Sequence, residues 1–205
     1  MKRIEENQIV YVIDDDSGVR NSLEWLLGSE DLQTSPYPSA EEFLEAFNQD
    51  MRGCILLDVR MQGMNGLVLQ QKLKELSSAL PIIILTGHAN VTMAVTAMKQ
   101  GAFDFLRKPY NDDALIECVK RALEAEKEFS RQHSRLLQTR KTIDDLTDRE
   151  REGMDLVVKG FQNKQIAEKL GISNKTVEAH RARVMKKCGV RTLTDLVKMV
   201  LDSES

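Results

Sequence analysis

Cysteine and histidine are scarce in this sequence, with 3 of each among 205 residues. Cys54, Cys118 and Cys188 form no C-x-x-C pair and stand more than sixty residues apart, and the histidines are equally scattered. That spacing argues against a disulfide framework or a zinc site and for buried thiols in a reducing compartment. Long hydrophobic runs are missing too: no apolar stretch approaches the roughly 18 residues that span a bilayer. The opening segment MKRIEENQIV carries charge with no apolar core behind it. Neither a signal peptide nor a membrane partner is expected, and the expected location is cytoplasmic. A strong net charge is also lacking, at −3 overall, yet the balance is uneven. Between Lys159 and Arg191 nine basic residues stand against two acidic ones, a local +7 that leaves the remainder at −10. One short segment is therefore suited to meet an anion. With 41% hydrophobic and 30% charged residues, the composition is that of a soluble globular chain. The length fits one larger and one smaller domain.

The first 110 residues alternate short apolar runs with amphipathic stretches of helical length. The runs are Ile9–Ile13, a weaker one at Gln33–Tyr37, Cys54–Leu57, Ile82–Leu85 and Phe103–Leu106. Runs this short, rich in Ile and Val and bounded by Gly, Pro and Asp, suit strands covered on both faces. Helical spacers between them imply right-handed crossovers, so the expected architecture is a five-stranded, parallel, doubly wound (flavodoxin-like) α/β sheet. Ser39, with Glu42 three residues on, has the form of a capping box ahead of Phe43, Leu44 and Phe47.

From Asn111 the pattern turns helical without strands. Leu115, Ala122, Phe129, Leu136 and Ile143 recur every seven residues and mark one side of a long helix running toward residue 140. The companion positions Glu126, His133 and Arg140 are polar, so the seam is too thin for a strong coiled coil. This reads as a last sheet-flanking helix extended into a linker, with a frayed charged linker as the alternative. Thr147 and Glu150 form a second capping box before Met154, Leu156 and Val157. A helix is expected over Asn163–Leu170, and Gly171-Ile172-Ser173 makes a tight turn into another helix ending near Cys188. Two helices joined by a short glycine-containing turn, the second crowded with basic residues, have the form of a helix-turn-helix. The expected organisation is an α/β domain at 1–124, a helical linker at 125–141 and a small all-α domain at 142–205.

In a doubly wound sheet, ligands bind beyond the carboxyl ends of the strands, and chemistry-bearing residues gather there in this sequence. Asp14, Asp15 and Asp16 follow the first strand, Asp58 the third, Thr86 the fourth and Lys108 the fifth. Clustered carboxylates repel one another, so this rim should raise a pKa or take up a cation, and hard oxygen donors with open positions favour Mg²⁺. A metal beside Asp58, with a lysine and a hydroxyl near, would stabilise a phosphoryl group moving onto that carboxylate. Asp16 is read as a helix cap, and His88 as structural or idle.

In order and spacing, Asp14-Asp15, the segment Leu57-Asp58-Val59-Arg60-Met61 leading to Gly66, Thr86-Gly87 and Lys108-Pro109 resemble the receiver domain of bacterial response regulators. The resemblance implies Asp58 as phosphoacceptor, Asp15 and Asp58 as Mg²⁺ ligands together with the Arg60 carbonyl, and Asp14 as a supporting carboxylate at the metal. It further implies that Thr86 meets a phosphoryl oxygen, that Lys108 meets its charge, and that the Lys108-Pro109 bond is cis. Phe105 is implied to turn with Thr86 as a switch. Gln62 departs from the family, which usually has proline there, and the departure implies a looser loop after Asp58.

The segment Leu146–Leu201 resembles the LuxR-type helix-turn-helix, and the whole chain resembles the NarL/FixJ subfamily, nearest its FixJ branch. On the second helix Val177, Val184 and Cys188, with His180 beside them, form a stripe suited to pack on the domain core. Lys175, Glu178, Ala179, Ala182, Arg183 and Lys186 then face outward, into a major groove if DNA is bound, and Thr176 joins the contact set at the helix start. Arg181, Lys187 and Lys164 sit at the edges, where phosphate contact is expected. Glu178 suits either a cytosine amine or a neighbouring arginine.

The partners implied are a cognate sensor histidine kinase, duplex DNA and, after phosphorylation, a second copy of the chain, which itself is not an enzyme. A rival enzyme reading is an aspartyl-phosphate phosphatase or transferase, since those also use a nucleophilic aspartate on an α/β sheet. Such enzymes carry a second acid two residues after the nucleophile, where this chain has Arg60. A third reading makes the C-terminal helices a protein or RNA interaction module.

Overall fold

The computed structural model describes residues 8–87 and 91–204, so the opening seven residues and His88 lie outside the described residues. By its contacts the chain separates into two units, Met1–Ser130 and Arg131–Ser205. The first alternates β1 (Ile9–Ile13), α1 (Ser17–Gly28), β2 (Thr34–Tyr37), α2 (Ala40–Ala46), β3 (Gly53–Asp58), α3 (Gly66–Glu75), β4 (Ile82–Thr86), α4 (Val91–Lys99) and β5 (Asp104–Arg107). Helix α5 (Asp112–Asp144) follows. The five strands form one parallel sheet in the order β2-β1-β3-β4-β5.

Period-two alternation sorts the strand side chains into two cores. Tyr11, Ile13, Ile55, Leu57, Ile82 and Ile84 pack on one face with Phe43, Leu69 and Leu73. Val10, Val12, Cys54, Leu56, Ile83 and Leu85 pack on the other with Leu23, Leu27, Leu115 and Val119. Covering both faces explains why the inner strands read as continuous apolar runs. β2 is weaker because it lies at the edge, where Pro36 removes no bond that the sheet needs.

The strand order reverses at β1 and β3, and a crevice opens where the chain leaves those neighbouring strands in opposite directions. Ile13 pairs with Leu57, so the residues that follow each strand share one rim. Gly66 closes that rim from below. Its N–H donates to the Val59 carbonyl at 3.0 Å, and a Cβ there would lie 2.2 Å from the Asp58 carbonyl oxygen. Glycine is therefore required for α3 to begin so close to β3.

Helix starts follow the expected caps with one correction. The Ser39 hydroxyl accepts from the Glu42 N–H at 3.1 Å, but no return bond from Glu42 is formed among the described residues, so Ser39 is a simple cap. Asp16 caps α1 through Gly18 N–H at 2.7 Å.

Helix α5 runs 33 residues. Its heptad stripe is buried at Leu115 and Ala122, while Phe129 is 54% exposed. Glu126, on the polar side of that seam, is buried instead. Its carboxylate pairs with Arg52, and Gln8 Nε2 donates to it at 2.6 Å.

The second unit contains α6 (Asp148–Val158), α7 (Asn163–Leu170), α8 (Asn174–Cys188) and α9 (Leu193–Glu204). Leu146, Met154, Val157, Ile166, Val177, Val184, Leu196 and Val200 form its core. Thr147 and Glu150 make the full capping box. Gly171, at φ 65°, ends α7 in the left-handed region, and the Ser173 hydroxyl then accepts from the Thr176 N–H at 3.1 Å to start α8. These two caps make the tight turn of the helix-turn-helix.

Candidate functional site

Four strand ends deliver the first constellation. Asp14, buried after β1, accepts from the Asp16 N–H at 2.9 Å and from the Lys108 ammonium at 2.5 Å. Asp58, at the end of β3, accepts from the same ammonium at 3.1 Å on Oδ1 and from the Arg60 N–H at 2.7 Å on Oδ2. Lys108 thus bridges two carboxylates that repel each other, and its own N–H donates to the Thr86 carbonyl at 2.9 Å. Thr86 is buried at the end of β4. The Lys108-Pro109 peptide bond is cis. Phe105 is half-buried in β5, paired in register with Ile84.

Burial sets the electrostatics. It pushes the Asp58 carboxyl up, and the attraction of Lys108 only partly offsets the rise. Burial alone would lower the Lys108 ammonium, but the hydrogen bond and charge of Asp14, with Asp58, hold it above its ordinary value. The lysine therefore stays charged, and Asp58 is a more basic carboxylate than a solvated one.

Asp14 and Asp58 share the one Lys108 ammonium, and Asp15 follows Asp14 on the same rim. That hard-oxygen donor set fits a divalent cation such as Mg²⁺. Among the described residues no three acidic, His or Cys side chains are gathered as a ready-made cage. Asp15 is exposed and turned to the β3–α3 loop, where its Oδ2 accepts from the Gln62 N–H at 2.9 Å.

That bond corrects the expectation of a looser loop at Gln62. Proline has no N–H, so glutamine adds a clip. A second clip is the Met64 N–H donating to Glu41 Oε1 at 2.8 Å. Neither was anticipated, because both join residues distant in sequence.

The second constellation is the outer face of α8. Val177 and Val184 are buried, with Cys188 packed beside them, while Lys175, Glu178, Ala179, Ala182, Arg183 and Lys186 are exposed. Thr176 is half-buried, its hydroxyl 2.8 Å from that of Ser173. Arg181 is half-buried and donates to the Asn163 side chain on α7. Lys164 on α7 is exposed. Lys187, expected at the edge for phosphate, is exposed and also paired within its own domain: its ammonium meets Glu150 Oε2 at 2.7 Å and the Asp145 carbonyl at 3.3 Å. It holds down the start of α6, a role that spacing along α8 alone did not reveal.

Residues 10–120 match the response regulator receiver domain, and residues 144–200 match the bacterial regulatory proteins of the luxR family. The chain belongs to the NarL/FixJ response regulators. Among relatives, this response regulator is 44% identical to the transcriptional regulatory protein FixJ of Azorhizobium caulinodans over 196 residues, covering 96% of this chain and 93% of that protein. It is 43% identical to the transcriptional regulatory protein TdiR of Thauera aromatica, over 96% of this chain and 86% of that one. Among solved structures, the response regulator StyR matches with a TM-score of 0.87 at 38% identity, over 95% of this chain and 98% of that chain. Full-length FixJ from B. japonicum matches with a TM-score of 0.59 at 36% identity, over 96% and 97%. The response regulator thus joins a receiver to a LuxR-type DNA-binding domain and is a FixJ-like transcriptional regulator. Among the described residues no helix is long and apolar enough to cross a membrane.

Proposed function

We propose that this response regulator accepts a phosphoryl group on Asp58 from a cognate sensor histidine kinase in the cytoplasm. The phosphorylated receiver then pairs with a second copy, and the two α8 helices bind duplex DNA. The observation that carries the reading is the shared Lys108 ammonium, 2.5 Å from Asp14 and 3.1 Å from Asp58, beside a nucleophile whose side chain is 9% exposed.

The chemistry follows from those positions. An Asp58 oxygen attacks the phosphorus of a phosphohistidine and forms an acyl phosphate, while the imidazole leaves with the bond electrons and takes up a proton. Arg60 N–H fixes one Asp58 oxygen. Lys108 keeps its charge against the incoming phosphoryl oxygens, and the Thr86 hydroxyl donates to one of them. Asp14, Asp15, Asp58 and the Arg60 carbonyl would hold Mg²⁺, which supplies positive charge to the same oxygens. As Thr86 moves toward the phosphoryl group, Phe105 follows into the space it leaves.

The receiver is taken as 1–124, the linker as 125–141 and the DNA-binding domain as 142–205. The chain acts as a regulator rather than as a hydrolase or transferase, since Arg60 stands where those enzymes keep a second acid. Pairing through α4 is favoured by Val91, Val95 and Met98, exposed at 81%, 45% and 47% at helical spacing. DNA contact is favoured by the exposed Lys164, Lys175, Arg183 and Lys186, none of which has an ion-pair partner among the described residues. Glu178, Ala179 and Ala182 lie on the same face, with Thr176 and Arg181 beside it.

Wild-type protein incubated with Mg²⁺ and a small phosphodonor should gain one base-labile phosphate, and Asp58→Asn should gain none. Labelling of Asp58→Asn at the wild-type yield would sink the assignment.

A further inference from the structure

Each carboxylate of the receiver rim accepts a backbone N–H, but the three donors differ in origin. Those on Asp14 and Asp58 come from Asp16 and Arg60, two residues further along the same turn. The donor on Asp15 comes from Gln62, 47 residues away in the β3–α3 loop. Asp14 and Asp58 are buried and further held by Lys108, whereas Asp15 is exposed. Without the Gln62 N–H the Asp15 carboxylate would be free to rotate into solvent.

We propose that the backbone N–H of Gln62 orients Asp15 for the divalent cation, which makes Gln62 a positioning residue for metal binding. The clip engages Oδ2, one of the two carboxylate oxygens. A metal-ligating carboxylate is itself held by hydrogen bonds, and loss of such a partner typically costs about 10–100-fold in metal affinity. Proline in this place would have no N–H to give. This chain has therefore built a link between the loop after the phosphoacceptor and its first acidic turn. The inference rests on the phosphoryl-acceptor reading of the rim.

The full chain is titrated with MgCl₂ by calorimetry. Gln62→Pro should raise the Mg²⁺ dissociation constant about tenfold or more, with its thermal melt unchanged. Gln62→Ala keeps the N–H and should bind like wild type. Glu41→Ala cuts the other clip on the same loop and should also bind like wild type. In the wild-type protein, hydrogen exchange at the Gln62 amide should slow when Mg²⁺ is added, a readout that does not depend on how well Gln62→Pro folds. Equal losses in Gln62→Pro and Gln62→Ala, or in Glu41→Ala, would overturn the proposal, as would unchanged affinity in Gln62→Pro. Faster Gln62 exchange with Mg²⁺ would also overturn it, because the metal would then compete with the N–H. A wild-type chain that takes up no Mg²⁺ would instead overturn the phosphoryl-acceptor reading itself.

Discussion

Lys108 holds two carboxylates that would otherwise face each other unscreened. Its removal does not take away the nucleophile, so Lys108→Ala should still be labelled by a small phosphodonor in Mg²⁺. What it loses is the group proposed to register the phosphoryl charge. A hydrogen bond to a charged group is worth about 1.5–3 kcal/mol, and the switch equilibrium should weaken by that amount, seen as a smaller dimer fraction at equal labelling. Labelled Lys108→Ala that dimerises like wild type would show that the charge is sensed elsewhere. On α8, Lys175 and Arg183 are exposed and free to reach base edges. Lys175→Ala and Arg183→Ala should each cost about 1–3 kcal/mol of operator affinity and change site preference in competition with altered duplexes. Losses of the same size on every sequence would mean that they touch only phosphates.

Among elements, α6 is the one whose start depends on charge. Lys187 and the Thr147 N–H hold the Glu150 carboxyl at about 2, below its ordinary value of 4.5. A lowered carboxyl pKa stabilises the folded form when ionised, so the contribution is complete above pH 4.5 and lost as pH falls toward 2. Acid titration followed at the amides of residues 148–158 should show this loss, and Glu150→Gln should abolish that part of the pH dependence while lowering stability at neutral pH. A Glu150→Gln chain with the wild-type acid profile would contradict it. Elements of this kind also show what a sequence can carry. The inner strands and the caps at Asp16, Thr147 and Ser173 were legible because periodicity and capping act over a few residues. The gathering of Asp14, Asp58, Thr86 and Lys108 was legible because parallel strands deliver their carboxyl ends to one side. The Arg52–Glu126, Glu150–Lys187 and Asp15–Gln62 pairs join residues 74, 37 and 47 apart. No local pattern encodes such contacts, so Glu126 read as one more polar position on a helix and the pairing of Lys187 with Glu150 went unread.

For the whole molecule, the proposed phosphorylation of Asp58 would add about −1.5 to −2 charge, and the proposed answer is association through α4. Sedimentation with a beryllofluoride mimic should shift monomer to dimer, and Val95→Asp should block the shift while leaving Asp58 labelling intact. A monomer that gains DNA affinity regardless would point to unmasking rather than pairing. The proposed dimer would bring a second set of α8 cations to the duplex, and the Lys187–Glu150 ion pair bears on how many each copy offers. The Lys187 charge is already answered by Glu150, whereas the Arg181 partner, Asn163, is an uncharged amide. With the groove-facing cations at base edges, each copy would neutralise phosphates with Lys164 and Arg181, and not with Lys187. Two neutralised phosphates per copy would give a slope of log affinity against log salt of about −1.8, against about −2.7 for three. Lys187→Ala should leave that slope where it is, so potassium leaving the duplex becomes a count of which lysines the fold has kept for itself.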